Sequence, residues 1–311
     1  MIHVLYENPA WLPPLAAALE ARGLAWNARD VSEGHFPVEG DIPEGVWVNR
    51  MSPSAHTRGH GGGIHFTREW LGVLEERGAR VINGSTSFAL EVSKVRQHAA
   101  LHAMGILTPT TVAVVGRHRL LDAAREMATP LITKHNQGGK GLGVRLFREL
   151  GAFEAYVAGG EFEEPMDGVT LLQQYVEPPS HSITRVEIVG GRFLFAMRSA
   201  TDGGFQLCPS DACQVGEAFC PVGESPTSKF APEPMSPDDP LIRAYLEFSR
   251  RHRIDVAGIE FVTGADGRRY TYDINMNTNY NSAVERAAGV DGMGAIAALC
   301  EQALAARSVA A

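Results

Sequence analysis

Apolar runs and helical stripes alternate along the first third of the chain. Residues 1–6, 45–49 and 80–83 are short apolar runs, while 9–22 and 65–77 carry Ala, Leu and other apolar residues at helical spacing. Strands alternating with helices predict a parallel sheet. Further along, the period shortens to two. Residues 130–134, 168–176, 182–198 with a Gly190-Gly191 turn, and 255–275 with a turn at 264–267 read as strands and antiparallel hairpins. Residues 87–104 predict one helix, stopped by Gly105 and Pro109; 241–253 predict another, and 282–306 a closing helical region interrupted at 289–294. Residues 52–63, rich in Gly and His, read as a flexible connection or substrate loop, and 199–240, rich in Gly, Ser, Pro and Asp, as one long loop. The order implies a mixed α/β (α+β) chain in three parts: an N-terminal parallel-sheet unit over residues 1–84, a central unit over 85–176, and a C-terminal antiparallel unit over 177–311.

Length and charge narrow the partners. A chain of 311 residues with 44% hydrophobic content can bury a large core. Lys and Arg total 28 against 36 Asp and Glu, a net charge of −8, which disfavours a nucleic-acid surface and leaves room for local basic pockets. No apolar run reaches about 18 residues, and the first residues lack the order of a signal peptide, so the expectation is a cytoplasmic protein without a membrane span. Cys208, Cys213, Cys220 and Cys300 lack metal-site spacing and read as free thiols.

The stretch 255–281, DVAGIEFVTGADGRRYTYDINMNTNYN, carries the densest chemistry. An even turn at 264–267 sets Glu260 across from Thr271, so Glu260, Thr271, Asp273 and Asn275 share one face, while Tyr270, Tyr272 and Ile274 face a core. Two carboxylates and an amide on one face are hard oxygen ligands, suited to Mg²⁺ or Mn²⁺ rather than Zn²⁺. A surface hairpin with a polar outer face is the alternative on this pattern alone. Upstream, Lys94 lies in the predicted 87–104 helix and Lys134 ends the PLITK strand. Residues 135–143, HNQGGKGLG, follow; their glycines leave main-chain N–H groups free to approach an anion, with Lys140 adding charge. The spacing is that of neither a Walker loop nor a dinucleotide fingerprint, and a hairpin lid over phosphates fits better. Arg185 and Glu187 share one strand face, and Arg198 ends the return strand.

Lys94, PLITK with its glycine loop, LLQQYV, TRVEIVGGRFLFAMR and GIEFVTG…YTYDINMN, in this order, resemble the ATP-grasp superfamily, within it the ribosomal-protein-modifying glutamate ligases (RimK-type) and their amino-acid and peptide ligase relatives. The resemblance covers residues 80–306, and residues 1–84 more loosely resemble the domain that precedes the ATP-grasp fold in that family. It implies that Lys94 and Lys134 contact ATP, that Gln174, Tyr175 and Val176 form the hinge that reads adenine, and that Gly138, Gly139, Lys140 and Gly141 belong to a lid. Glu260, Asp273 and Asn275 would hold Mg²⁺, and Arg185 and Arg198 would steady the γ-phosphate, an acyl phosphate or the acceptor's carboxylate. The implied reaction joins a small-molecule carboxylate and an amine through an acyl phosphate, releasing ADP and phosphate; a small-molecule kinase on the same scaffold is the alternative. The resemblance also leaves room for a homo-oligomer. Ile183 stands where the glutamate ligases typically carry Asp, and the stretch after Arg198 departs from theirs; both differences bear on the substrate.

Overall fold

In the computed structural model, which describes residues 1–139, 141, 143–201 and 229–310, the N-terminal apolar runs form a parallel sheet. Its strands are β1 (Ile2–Tyr6), β2 (Trp26–Asp30), β3 (Val46–Arg50) and β4 (Arg80–Ile82), ordered β2-β1-β3-β4. β1 and β3 are apolar because a central parallel strand is covered on both faces. β2, WNARD, escapes the sequence reading because an edge strand need not be apolar. Helix α1 (Pro13–Ala21) opens on proline, whose missing N–H costs nothing in a first turn.

Residues 52–63 are not the flexible connection expected. A short 3₁₀ turn at Ala55–Arg58 leads into α2 (Gly61–Glu76), which takes up the three glycines as its first turn. A Cβ at Gly63 would come within 2.5 Å of the Val31 carbonyl oxygen, so glycine allows α2 to approach that closely. Glu7, buried at the end of β1, fixes the turn by accepting from Arg58 at 2.7–2.8 Å and from the His60 ring at 2.7 Å.

The single helix expected over 87–104 is two, α3 (Ser85–Glu91) and α4 (Lys94–Ala103). The break falls at Ser93, whose hydroxyl caps α4 by accepting from the Arg96 amide. Lys94 thereby becomes the first residue of a helix rather than a mid-helix side chain. The central sheet follows, with β5 (Thr111–Val115), β6 (Leu131–His135), β7 (Arg145–Phe147) and β8 (Val169–Gln174) in the order β5-β8-β6-β7, all antiparallel. Helices α5 (Leu120–Arg125) and α6 (Leu150–Ala158) join it in a core built on Leu120, Leu131, Phe147, Phe153 and Leu172.

The third sheet is antiparallel: β9 (Ser182–Val189), β10 (Arg192–Ala200), β11 (Phe230–Glu233), β12 (Val256–Thr263) and β13 (Arg269–Asn275), ordered β11-β10-β9-β12-β13. β11 corrects the reading of 199–240 as loop throughout; its Pro232 is tolerated because the strand lies at the sheet edge. One face of the sheet, through Val186, Ile188 and Ile259, packs with α7 (Pro240–Arg251) and with Leu90 and Leu101 of α3 and α4. The other face, through Val189, Phe195 and Met197, shares a core with Ile2, Val4 and Leu15 and with α8 (Ser282–Ala288) and α9 (Gly292–Ala310). The first and third sheets are also joined at Asn83, held at φ 53°: its side chain donates to the carbonyls of Val256 and Met276 and accepts from the amides of Asp255 and Val256. Cys300 is buried in α9, and burial pushes its thiol up to about 12; Cys208, Cys213 and Cys220 lie outside the described residues. Among the described residues no helix is long and apolar enough to cross a membrane.

Candidate active site

A cavity of about 510 Å³ opens between the three sheets, and most of the residues picked out by sequence line it. The order of side chains on its floor follows from strand register. The loop from β12 to β13 is one residue longer than the even turn expected: Thr263 pairs with Arg269, and the Gly264 amide donates to the Arg268 carbonyl. A bulge then inserts Tyr272, so Phe261 pairs with Thr271 but Glu260 pairs with Asp273. The expected Glu260–Thr271 pairing is therefore wrong, and so is the placement of Tyr272 on the core face. Thr271 is the buried one, its hydroxyl bonded to that of Tyr245 at 2.6 Å, while the Tyr272 hydroxyl donates to Glu260 at 3.0 Å inside the cavity.

The corrected register gives two rows across three strands. Arg185 of β9, Glu260 of β12 and Asp273 of β13 form one; Glu187, Gly258 and Asn275 form the next. Arg185 donates through Nη1 to Glu260 at 2.8 Å, through Nε to Glu187 at 2.5 Å and through Nη2 to the Thr278 hydroxyl at 2.9 Å. Its guanidinium lies over Gly258, where a Cβ would collide with it. Glycine in a central strand is ordinarily unfavourable, and here the missing side chain makes the seat for the arginine. Gly258→Ala is accordingly expected to destabilise the protein by about 1–3 kcal/mol, the range for overpacking. Strand propensity alone predicts the opposite sign, so a denaturant titration of the variant separates the two.

Asp273 is paired with Lys94 and accepts from the Asn275 amide at 3.2 Å. Burial works against its charge, but Lys94 and then Lys134 outweigh burial and hold its carboxyl below the usual range. At Glu260 burial prevails and pushes the carboxyl up, with Arg185 opposing. Lys134 is 6% exposed; its ammonium sits 4.7 Å from the centre of the Tyr272 ring, and burial draws it down to about 8. Three cations, Lys94, Lys134 and Arg185, and two carboxylates, Glu260 and Asp273, thus meet at one cavity.

Of the remaining sequence candidates, Gln174, Tyr175 and Val176 line the cavity where β8 ends, and Gly138, Gly139 and Gly141 line it from the β6–β7 connection. Lys140 lies outside the described residues. In the same connection Gly143, at φ 71°, sits against the His135 ring, which a Cβ would meet at 2.8 Å. Arg198 does not join the group. Register places it opposite Thr184, one position out of step with Arg185, on the other face of the sheet; its side chain is 56% exposed and its nearest carboxylate is Glu233 at 3.9 Å. A residue count along one strand could not set its face relative to Arg185 across a hairpin whose ladder shifts between Phe193 and Phe195.

Several residues in and around the cavity escape the sequence reading. Thr278 joins Glu187, already placed on one face with Arg185, in holding that arginine, and Glu91, which burial pushes up to about 7, accepts from the main chain of Met276 and Asn277. Ser52, Ser54 and Trp11 form the wall contributed by the N-terminal unit. One signal was available for another part. In residues 275–281, NMNTNYN, asparagines alternate with Met276, Thr278 and Tyr280, and the burial follows: those three are buried while Asn275, Asn277 and Asn279 line the cavity.

The two carboxylates and the Asn275 amide form a donor set of the right chemistry for Mg²⁺, which commonly takes one or two carboxylates and completes its shell with phosphate oxygens and water. Among the described residues no group of three or more His, Cys, Asp or Glu side chains converges as a stand-alone metal site. The residues present therefore fit a cation that arrives with a phosphate chain rather than one caged by protein.

No family model matches the chain. Among curated proteins it is similar to β-citrylglutamate synthase B of Danio rerio, 25% identical over 230 residues that cover 72% of this chain and 51% of that protein. It is also similar to human N-acetylaspartylglutamate synthase A, 24% identical over 230 residues and covering 72% and 53%. The chain thus spans about half the length of the curated relatives it matches. Among solved structures it superposes on a RimK-domain ATP-grasp protein of Sphaerobacter thermophilus with a TM-score of 0.66 at 17% identity, covering 96% of this chain and 99% of that one. The D-alanine–D-alanine ligase of Bacillus anthracis gives a TM-score of 0.69 at 15% identity, covering 100% and 99%, and has also been solved with ATP. The ATP-grasp ligase PsnB, solved with a minimal precursor, Mg and ADP, gives 0.62 at 17% identity, covering 98% and 96%. At these identities the likeness carries the fold alone: the chain has the ATP-grasp fold.

Proposed function

We propose that the protein is an ATP- and Mg²⁺-dependent ligase that joins a small carboxylate to an amine. The observation that carries this reading is the meeting of Lys94, Lys134, Arg185, Glu260 and Asp273 in one buried cavity under a glycine-rich connection. The curated relatives are named as synthases and the solved neighbours include ligases, which supports the same class.

The nucleotide's phosphates would enter where Lys94 and Lys134 now face Asp273, and its base would lie along Gln174–Val176, where a strand end offers main-chain donors and acceptors. Glu260, Asp273 and Asn275 would hold Mg²⁺, which supplies neutralisation of the phosphate charge that builds as the terminal phosphoryl transfers. An oxygen of the substrate carboxylate attacks the γ-phosphorus, the bond to ADP breaks, and an acyl phosphate forms. The amine nitrogen then attacks the acyl carbon, inorganic phosphate leaves with the bonding pair, and the nitrogen sheds a proton to give the amide. Lys94, Lys134 and Arg185 stabilise these anions by position and charge. No residue need form a covalent intermediate.

Asp273→Asn and Glu260→Gln keep the shape of the site and remove one charge each. Each is expected to lower phosphate release from ATP, with amino-acid pools as acceptors, by at least about 100-fold, the effect typical of losing one electrostatic element of a transition-state site. Near wild-type turnover in both variants would reject the reading. The mass of the product distinguishes an amide from a phosphorylated compound.

A further inference from the structure

β13 carries Asp273 and Asn275 and lies at the edge of the third sheet, with β12 on one side and, among the described residues, no strand on the other. An edge strand ordinarily leaves a row of N–H and C=O groups to water or to another chain. Here that row is met from within. The Thr271 amide donates to the Leu107 carbonyl at 2.8 Å, and the Met276 amide donates to Glu91 Oε2 at 2.6 Å. Between them, both main-chain groups of Ile274 go to one side chain, Gln97 of α4. Its Oε1 accepts from the Ile274 amide at 3.1 Å, and its Nε2 donates to the Ile274 carbonyl at 2.9 Å. Residues 91–107 thus stand where a sixth strand would.

The Gln97 amide exchanges two hydrogen bonds with one residue, as a residue on a paired antiparallel strand does. Its orientation is settled by its partners, since a main-chain carbonyl only accepts and a main-chain N–H only donates. The second Nε2 hydrogen goes to the Leu90 carbonyl at 2.9 Å, which ties the same side chain to α3. Gln97 is 1% exposed and does not line the cavity, so it reaches the site only through the strand it holds.

That strand needs holding at this point. The Tyr272 bulge interrupts the ladder between β12 and β13 one residue before Asp273, and a bulge bends its strand locally. Gln97 takes hold one residue after Asp273 and one before Asn275. Lys94 lies three positions before Gln97 on α4, a spacing that puts the two on one helix face. That face therefore grips two successive residues of β13: Lys94 pairs with the Asp273 carboxylate, and Gln97 clamps the main chain of Ile274.

We propose that Gln97 is a positioning residue for the metal-bound nucleotide: by holding the main chain of Ile274 it sets Asp273 and Asn275, on either side, at a fixed offset from Lys94. Glu91 continues the clamp at Met276. This rests on the ligase reading given above, and within it on Glu260, Asp273 and Asn275 as the groups that hold Mg²⁺.

The test is Gln97→Met, which keeps most of the side-chain volume and gives up all three hydrogen bonds. Gln97→Asn, which keeps an amide but draws it back by one methylene, is measured beside it in case the first does not fold. Phe153→Leu is the control, because it shrinks a core of the central sheet alone and lowers stability without touching β13. Each full-length protein is titrated with Mn²⁺ in the presence of ADP, followed by electron paramagnetic resonance, and is unfolded in denaturant. Phosphate release is measured with ATP, Mg²⁺ and amino-acid pools. All three variants are expected to unfold at lower denaturant than wild type. Only the Gln97 variants are expected to weaken Mn²⁺ binding and to lower kcat, each by about tenfold or more, the loss typical when a group that orients a metal ligand is removed. Mn²⁺ affinity within about twofold of wild type in the Gln97 variants overturns the positioning role and leaves the ligase reading intact. An equal weakening in Phe153→Leu also overturns it, since the effect would then follow stability alone. Weaker Mn²⁺ binding confined to the Gln97 variants, with no phosphate release by wild type, upholds the clamp and sinks the ligase reading. Wild-type protein that binds no Mn²⁺ with ADP sinks the metal assignment and the positioning role with it.

Discussion

Replacing Arg185 by methionine is expected to lower the unfolding free energy by about 3–5 kcal/mol, the usual cost of removing one partner from a buried ion pair. The side chain is 5% exposed, and its two carboxylate partners, Glu187 and Glu260, are 1% and 9% exposed. Methionine fills most of the volume but leaves both acids without a cation. Burial raises the cost of each remaining charge, and no other lysine or arginine in the described structure is within ion-pair distance of either. The double variant Arg185→Met/Glu187→Leu is expected to recover part of the loss, because one of the stranded carboxylates goes with it. Denaturant unfolding of the two variants and the wild type measures both quantities. A single variant within about 1 kcal/mol of wild type would show that the cage contributes nothing to the fold.

Lys134→Met is expected to act in the other direction. Burial brings the Lys134 ammonium from its ordinary 10.5 to about 8, a penalty on the charged form of about 3 kcal/mol. The unfolded chain keeps that proton up to about 10.5 and the folded chain loses it near 8, so stability rises with pH across this window. Below pH 8 the folded protein bears the full penalty; above about 10.5 it bears none. Methionine removes it, so the variant is expected to be more stable than wild type by roughly 2–3 kcal/mol at pH 7, with the gap closing at high pH. It is also expected to lose nucleotide affinity, since under the proposed function that buried charge meets phosphate. Thermal unfolding across pH 6 to 10, paired with calorimetric titration of an ATP analogue, checks both halves. A variant that is less stable than wild type at pH 7 would mean that the cation–π contact with Tyr272 outweighs the cost of burial.

Much of the architecture was readable because it rests on periodicity. The alternation of apolar runs with helical stripes led to the parallel sheet, and the period-two stretches around Gly190-Gly191 and 264–267 led to the antiparallel one. What escaped depended on single residues. One extra loop residue and the Tyr272 bulge moved Glu260 from Thr271 to Asp273, and a pattern with period two has no way to signal a one-residue insertion in its partner strand. Ser93 split one predicted helix into two by a cap whose value appears only when the chain turns there. For the candidate site, residue types were readable but partners were not: Arg185 and Glu187 share a face by counting, whereas Thr278 reaches them across 91 residues or more, a distance only the fold can close. Arg198 failed for the same reason, being one step out of phase with the arginine it was grouped with.

The cores divide in a way that bears on mechanics. Ile2, Val4, Val189 and Met197 belong to one core shared by the first and third sheets, which Asn83 also bolts together, whereas Leu120, Leu131, Phe153 and Leu172 form a core of the central sheet alone. Swinging the central sheet against the other two would therefore uncover little apolar area, while parting the first from the third would tear a common interior. The molecule is thus built as a frame and a jaw: Glu260, Asp273, Asn275 and Arg185 stand on the frame, while Lys134, Gly138 and Gly139 ride on the jaw. Among the described residues, this distribution of apolar surface favours bite, and with it a change in the approach of Lys134 to Asp273, over any parting of the first sheet from the third.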